Sequence, residues 1–277
     1  MWSCPICRQP LELEGKTYSC VHHHCFDLAH SGYVNLLPAN RKHSKDPGDN
    51  RAMVQARREF LEQGYYLPLV QALCRELAQW AIHTPWDSLT LLDAGCGEGY
   101  YTAHIQHHLQ SCGKPVEILG VDISKAAVEK AAKRHIPNSH FAVASVFDLP
   151  VLDGSCQGMI NLFAPFQLQQ AQRVLEEGGL LLLVIPGADH LWELKQAVYD
   201  TPYRNEQKDP ALEGFVLQKQ CSVTDRVMLS NPKDIQALFQ MTPYSYKTSQ
   251  RDMEKLMQLQ QLETTIAFEL LLYQKVG

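Results

Sequence analysis

The chain has 277 residues, of which 45% are hydrophobic and 20% charged, and its formal net charge at pH 7 is −5. That length holds one large domain or a standard domain with a small accessory module, and that composition supports a buried core and excludes disorder. The net negative charge argues against a globally basic coat protein for nucleic acid, and no apolar run reaches the 18 residues of a membrane span.

The first residues, Met1-Trp2-Ser3-Cys4, lack the basic, apolar and small-residue progression of a signal peptide, so a cytoplasmic protein is expected. Four of the nine cysteines, Cys4, Cys7, Cys20 and Cys25, crowd the first 25 residues; the other five are scattered singly. A secreted disulfide scaffold is shorter and usually has an even cysteine count, and isolated cysteines commonly pack as small buried hydrophobes. The cluster therefore points to a metal. Cys4-x2-Cys7 is a knuckle whose turn aims both thiols at one ion, and Cys20 follows with His22, His23, His24 and Cys25 behind it. Two such pairs supply the four soft or borderline ligands of a tetrahedral Zn2+ site, with His23, His24 or Cys25 as the partner of Cys20. A ribbon this small needs the metal to fold, and a closed site implies a structural role.

Residues 1–38 thus form an expected zinc-binding ribbon. Residues 39–85 form an expected basic linker with helices. Arg41, Lys42, Lys45, Arg51, Arg57 and Arg58 make the basic stretch, and Lys45 to Asn50 is turn chemistry. Helical periodicity starts at Arg51, runs through Phe60, Leu61 and Tyr65, and resumes from Leu69 to Trp80.

From residue 86 to 277 the rhythm becomes strand and helix in alternation. Thr90–Asp93, Glu117–Asp122, Phe141–Ala144, Gly158–Phe163 and Leu180–Ile185 are strand-like, with helical stretches such as Lys125–His135 and Leu168–Glu177 between them. That order predicts βαβ units in a Rossmann-like α/β fold whose parallel sheet is covered on both faces. The tail offers Phe215–Leu229 and Thr264–Tyr273 as an antiparallel edge.

Asp93-Ala94-Gly95-Cys96-Gly97-Glu98-Gly99 sits at the end of the first of these strands. It fits D-x-G-x-G-x-G and fails the dinucleotide pattern G-x-G-x-x-G, since Tyr100 replaces the last glycine. Glycines let the backbone turn sharply and approach a ligand closely. Asp122 closes the second strand, where a carboxylate can accept both hydroxyls of a ribose.

This constellation resembles the class I S-adenosylmethionine-dependent methyltransferases, which implies a mostly parallel seven-stranded sheet. The resemblance sets the glycine loop against the methionine end of the cofactor, Asp122 on the ribose and Ala144-Ser145 at the adenine edge. Asn161 and Phe163, after the fourth strand, fall where such enzymes position the acceptor. The C-x2-C-x12-C-x3-H ribbon, Gly32 to Pro38, Asp46-Pro47-Gly48-Asp49, Arg57-Arg58-x-Phe60-Leu61, Gly95 to Thr102 and Pro186-Gly187-x-x-His190-Leu191-x-Glu193-Leu194 sharpen it. Together they are similar to the RlmA (RrmA) family of zinc-containing 23S rRNA (guanine-N1)-methyltransferases, over essentially the whole chain and nearer its Gram-negative-type branch. That likeness selects His24 beside Cys4, Cys7 and Cys20. It implies a homodimer acting on one guanine of a 23S rRNA hairpin loop, the ribbon helping to grip RNA, and no membrane partner. It also puts Tyr66, Tyr101, Thr102 and His190 at positions that contact the cofactor.

Guanine N1 lies on the Watson–Crick edge, so the target must be unpaired or extruded, and Tyr100, Tyr101 or Phe163 are candidates to stack it. The basic stretch is suited to phosphates. His190 is a candidate general base as well as a cofactor contact, and Asp93 a cofactor or loop-organising group. Two other readings compete: a methyltransferase for a small metabolite, and a zinc-ribbon RNA-binding protein with a vestigial cofactor fold. The ribbon and basic linker weigh against the first, the intact glycines and Asp122 against the second.

Overall fold

A computed structural model of the chain describes residues 1–38, 48–111, 113–207, 210–242, 244 and 248–276. The expected cations Arg41, Lys42 and Lys45 lie outside these residues.

The N-terminal strands β1 (Glu12–Glu14), β2 (Thr17–Ser19) and β3 (Cys25–Asp27) form a small antiparallel sheet in the order β1-β2-β3. β4 (Val34–Asn35) leaves this module and joins the large sheet, pairing in parallel with Ala142 and Val143. Two helices follow. Asn50 caps α1 (Arg51–Glu62) by accepting the Met53 amide at 3.0 Å, and Gly64, with φ +82°, makes the break before α2 (Leu67–His83). α2 buries one stripe, Leu69, Val70, Leu73, Leu77 and Ala81, against the sheet core.

The parallel strands are β5 (Leu89–Ala94), β6 (Val116–Asp122), β7 (Ser139–Val143), β8 (Cys156–Leu162) and β9 (Leu175–Pro186). Their apolar runs are buried on both faces, which is why they read as continuous rather than alternating. α3 (Tyr100–Gln110), α4 (Lys125–Ala132), α5 (Leu168–Val174) and α6 (Trp192–Val198) are the crossovers. β10 (Phe215–Leu229) and β11 (Leu262–Lys275) are antiparallel and flank α7 (Pro232–Gln240) and α8 (Gln250–Gln258).

The sheet order is β10-β11-β9-β8-β5-β6-β7-β4. The seven strands expected are all present, and β4 adds an eighth from the ribbon module. The direction of winding reverses between β8 and β6 on either side of β5, so a crevice opens beyond the carboxyl ends of β5, β6 and β8.

Two helices are shorter than their sequence pattern. α4 ends at Ala132 rather than His135, with His135 in the left-handed region at φ +51°. α5 ends at Val174 because Leu175 already pairs with Cys156, and the Lys275 ammonium caps the helix by donating to the Gln172 and Leu175 carbonyls at 2.6 and 2.8 Å. Leu175, Glu176 and Glu177, expected as helix, are strand.

Candidate functional site

The four expected ligands of the ribbon converge. The donor atoms of Cys4, Cys7, Cys20 and His24 all lie within 4.8 Å of one another. Turns close each half: the Arg8 amide donates to the Cys4 carbonyl and the His23 amide to the Cys20 carbonyl, both at 2.8 Å. Cys7 Sγ is 3.6 Å from Cys20 Sγ, and His24 Nδ1 is 3.5 and 3.4 Å from the Cys4 and Cys20 sulfurs. A tetrahedron with Zn–S of about 2.3 Å and Zn–N of about 2.0–2.1 Å has edges of roughly 3.5–3.8 Å. The donor set and its spacing therefore fit Zn2+. His22, His23 and Cys25 are exposed and outside the cluster.

The ribbon is seated on the main sheet beside the loop after β7. Trp2 bridges to Val151, the Ser3 amide donates to the Pro150 carbonyl at 2.9 Å, and Arg8 pairs with Asp148. Trp2, Leu11, Tyr18 and Leu36 share one core cluster with Leu119, Val121 and Ala142 of the sheet.

The glycine loop lines the crevice. Gly95, Gly97 and Gly99 have φ of +93°, +56° and +80°. A Cβ on Gly95 would meet the Ala164 Cβ at 2.3 Å, and one on Gly99 would meet the Ala131 Cβ at 3.0 Å, so these two glycines permit close packing. A Cβ on Gly97 would meet nothing within 4 Å: this glycine faces the open cradle where a ligand can approach the backbone. Asp122 accepts the Gly97 amide at 3.0 Å and the Ser124 amide at 2.8 Å, one on each oxygen. Each oxygen keeps a lone pair for a further donor. Burial pushes its carboxyl up, and the two amides oppose that shift. The cradle and this carboxylate fit the cofactor the motif implies.

Asp93 is 2% exposed and accepts the Thr102 hydroxyl at 2.6 Å; burial pushes its carboxyl up to about 6. Both residues organise the loop from beneath. Glu98 turns away from the crevice into an ion pair with Arg134, just past the end of α4, which also reaches Glu62 of α1 at 2.8 Å.

The opposite wall is aromatic. Tyr66, the buried N-cap residue of α2, packs edge-on against Phe268 at 5.0 Å and lies 6.1 Å from the His190 ring. Phe268 of β11 also contacts His190 at 4.7 Å and Phe163 at 5.5 Å between ring centres. Phe163 sits just past β8 with φ +58° and is 44% exposed, a strained backbone that turns its ring to the mouth. Tyr100 is buried against Tyr101, His104 and Arg134 and is core, so it is not free to stack a base; Tyr101 is partly buried beside it.

Asn161 is buried, and its amide donates to the Ala94 and Pro165 carbonyls at 3.1 and 3.3 Å. It ties the loop after β8 to the end of β5. His190 Nδ1 accepts the Ala267 amide at 3.2 Å, which assigns the ring proton to Nε2, and burial holds the ring neutral, lowering it to about 3. Of the described cations of the basic stretch, Arg57 is engaged by Asp49, whose carbonyl accepts the Ser124 hydroxyl at 2.6 Å; the linker end therefore lies against the turn after Asp122.

Phe268, Lys195 and Asn205 carry no local sequence signal, whereas Glu193 belongs to the motif that runs from Pro186 to Leu194. Phe268 is one apolar residue in a buried strand. Lys195 occupies an inward position of α6 and donates to the Tyr203 carbonyl and to Asn205 Oδ1 at 3.1 and 2.7 Å, while Asn205 Nδ2 holds the Gly187 carbonyl at 2.8 Å. Glu193 accepts the Thr265 amide at 2.7 Å. Together these anchor the loop that carries His190.

Comparison with known proteins agrees with this geometry. Residues 2–45 match the family model described as RlmA, N-terminal, and residues 91–179 match a methyltransferase domain. A 23S rRNA (guanine(748)-N(1))-methyltransferase of Streptomyces fradiae is 38% identical over 196 residues, 70% of this chain and 66% of that protein. A protein of Micromonospora griseorubida, provisionally named a 23S rRNA (guanine-N1)-methyltransferase, is 35% identical over 207 residues, 69% of this chain and 67% of its own. A Bacillus subtilis protein with the same provisional name is 29% identical over 99% of this chain and 97% of its own. Among solved structures, a geranyl diphosphate methyltransferase in complex with SAM superposes with a TM-score of 0.48 at 17% identity, covering 84% of this chain and 93% of that one.

Proposed function

The chain belongs to the family of 23S rRNA (guanine-N1)-methyltransferases, and from that membership we propose that it methylates N1 of one guanine in a hairpin loop of 23S rRNA, acting as a homodimer. The observation that carries this reading is the union, in one chain, of an RlmA-type ribbon with a Cys3His cluster and an intact glycine cradle closed by Asp122.

S-adenosylmethionine, when bound, supplies a methyl group already activated on a sulfonium. The protein's share is positioning in a water-poor pocket. In the proposal Gly97 admits the cofactor, Asp122 accepts its ribose hydroxyls, and Tyr66, Tyr101 and His190 wall its methionine side. Asp93 and Thr102 act one layer below, by fixing the loop. Asn161 is a positioning residue for the loop after β8, and Phe163, at the mouth, stacks the extruded guanine.

Guanine N1 carries a proton that must leave. In its tautomer His190 offers only an N–H at Nε2, and its lone-pair nitrogen is already bonded to the Ala267 amide. That argues for a donor or packing role and against its service as general base. Asp93 is enclosed beneath the loop, so it supports no direct proton transfer from the base either.

Methyl-labelled S-adenosylmethionine, the purified protein and large-subunit rRNA from cells lacking the enzyme test the reading. Label in 1-methylguanosine at one hairpin position is expected. Label at the guanine used by the Gram-negative-type branch supports that finer assignment; label at its neighbour replaces the branch and keeps the reaction. Tight cofactor binding with no label in RNA would overturn the rRNA reading in favour of a small acceptor.

A further inference from the structure

β10 is the outer strand of the sheet, and among the described residues nothing pairs with its free edge. It is unusually long for an edge, running from Phe215 to Leu229, and contains neither proline nor glycine. Its register with β11 is uninterrupted from Lys219 to Leu229, the only irregularity lying between Leu217 and Lys219. Edges of this kind recruit another strand unless charge, bulges or cover prevent it.

The side chains along this edge are self-complementary. Lys219 donates to the buried Glu76 at 2.7 Å, and Arg75 lies 3.5 Å from the same carboxylate, so two cations share one anion. Asp225, on the same face of the strand and exposed, forms no ion pair among the described residues; its carboxylate accepts only the Arg226 amide, at 2.8 Å. One end of the strand therefore has excess positive charge and the other excess negative charge.

We infer that a second copy of this chain adds its own β10, antiparallel, to the outer edge of β10 about a two-fold axis through Ser222. An isologous contact requires that each residue meet its complement twice. About this axis Lys219 lies opposite the partner's Asp225, and Cys221 opposite the partner's Val223. Slipping by one residue pair in either direction sets Lys219 against Val223 or Val227 and Asp225 against Leu217 or Cys221, so only this register matches charge with charge. The ladder from Lys219 to Asp225 avoids the bulge on both copies.

This inference rests on the homodimer in the reading above, and the test separates the two. In a Cys221→Ser background, Ser222→Cys should form a disulfide across the axis under mild oxidation, because directly opposed residues on antiparallel strands have Cα atoms about 4.5–5.5 Å apart. Gln220→Cys should not, since each copy then opposes it with Thr224. Asp225→Lys, an exposed substitution, should raise the dimer dissociation constant about tenfold by sedimentation, from the loss of two cross-strand charge pairs. A dimer in which Ser222→Cys fails to cross-link and Asp225→Lys changes nothing would overturn the β10 interface alone. A monomer at all concentrations would overturn the homodimer as well.

Discussion

The ribbon and the methyltransferase sheet are held together by different physics within one chain. In the ribbon, β1 is exposed at all three residues and β3 is at best half-buried. Its inward residues, Trp2, Leu11 and Tyr18, are buried against the large sheet rather than against one another alone. The sheet, by contrast, encloses complete apolar strands between helices on both faces. A module of this size cannot bury enough surface to offset its chain entropy, so four ligands and a docking surface replace a core.

The largest effect should come from removing a ligand. Cys20→Ser is expected to abolish the single bound zinc and to unfold residues 1–38, since structural zinc contributes on the order of 10 kcal/mol to small sites. Metal analysis and hydrogen exchange would read this. Exchange protection surviving in β1–β3 without metal would break the comparison.

Next come the glycines, where stability and binding should separate. Gly95→Ala forces a Cβ into Ala164 at a left-handed φ and should destabilise the sheet domain by about 3 kcal/mol in urea unfolding. Gly97→Ala meets open space, so its stability loss should be nearer 1 kcal/mol while cofactor affinity falls at least tenfold by calorimetry. Equal losses in both would mean that Gly97 does not face the cofactor.

Asp93 gives the sheet domain a pH signature of its own. Its folded carboxyl holds its proton up to about 6, above the ordinary value near 3.8. The unfolded state therefore ionises first, and stability falls as pH rises from 3.8 through about 6, then levels. Asp93→Asn keeps an acceptor for Thr102 and removes that slope, so its stability relative to the parent should grow by roughly 2–3 kcal/mol between pH 4 and 7. Parallel urea midpoints across that range would refute the argument.

The smallest effect belongs to the seam between the regions. Arg8 is 43% exposed where it pairs with Asp148, so Arg8→Gln should cost no more than about 1 kcal/mol. A larger loss would mean that the seam, rather than the metal, holds the ribbon in place.

Residue pattern alone made much of this legible. Apolar runs ending in Asp93 and Asp122 located β5 and β6, and the glycine spacing located the cradle, because strands buried on both faces and tight turns impose local composition. Cys20 had three sequence-compatible partners behind it, and the turn closed by the His23 amide brings only His24 round to the sulfurs. Arg57 reads as a phosphate contact by charge, yet Asp49 engages it. The run through Glu177 continues a helical period, and the end of α5 is set by Cys156 and Lys275, which lie far away in sequence.

The chain by itself determined the fold class, a metal ribbon built on Cys4, Cys7 and Cys20, and the nucleotide-type cradle, since each follows from spacing within a few dozen residues. Only tertiary structure decided that β4 adds the ribbon module to the sheet, that Phe268 joins Tyr66, His190 and Phe163 in one wall, and that Lys195 and Asn205 anchor the His190 loop. Those contacts range from the ten positions between Lys195 and Asn205 to the more than two hundred between Tyr66 and Phe268. Their side chains are ordinary in local context and acquire their roles through what the sheet order brings beside them.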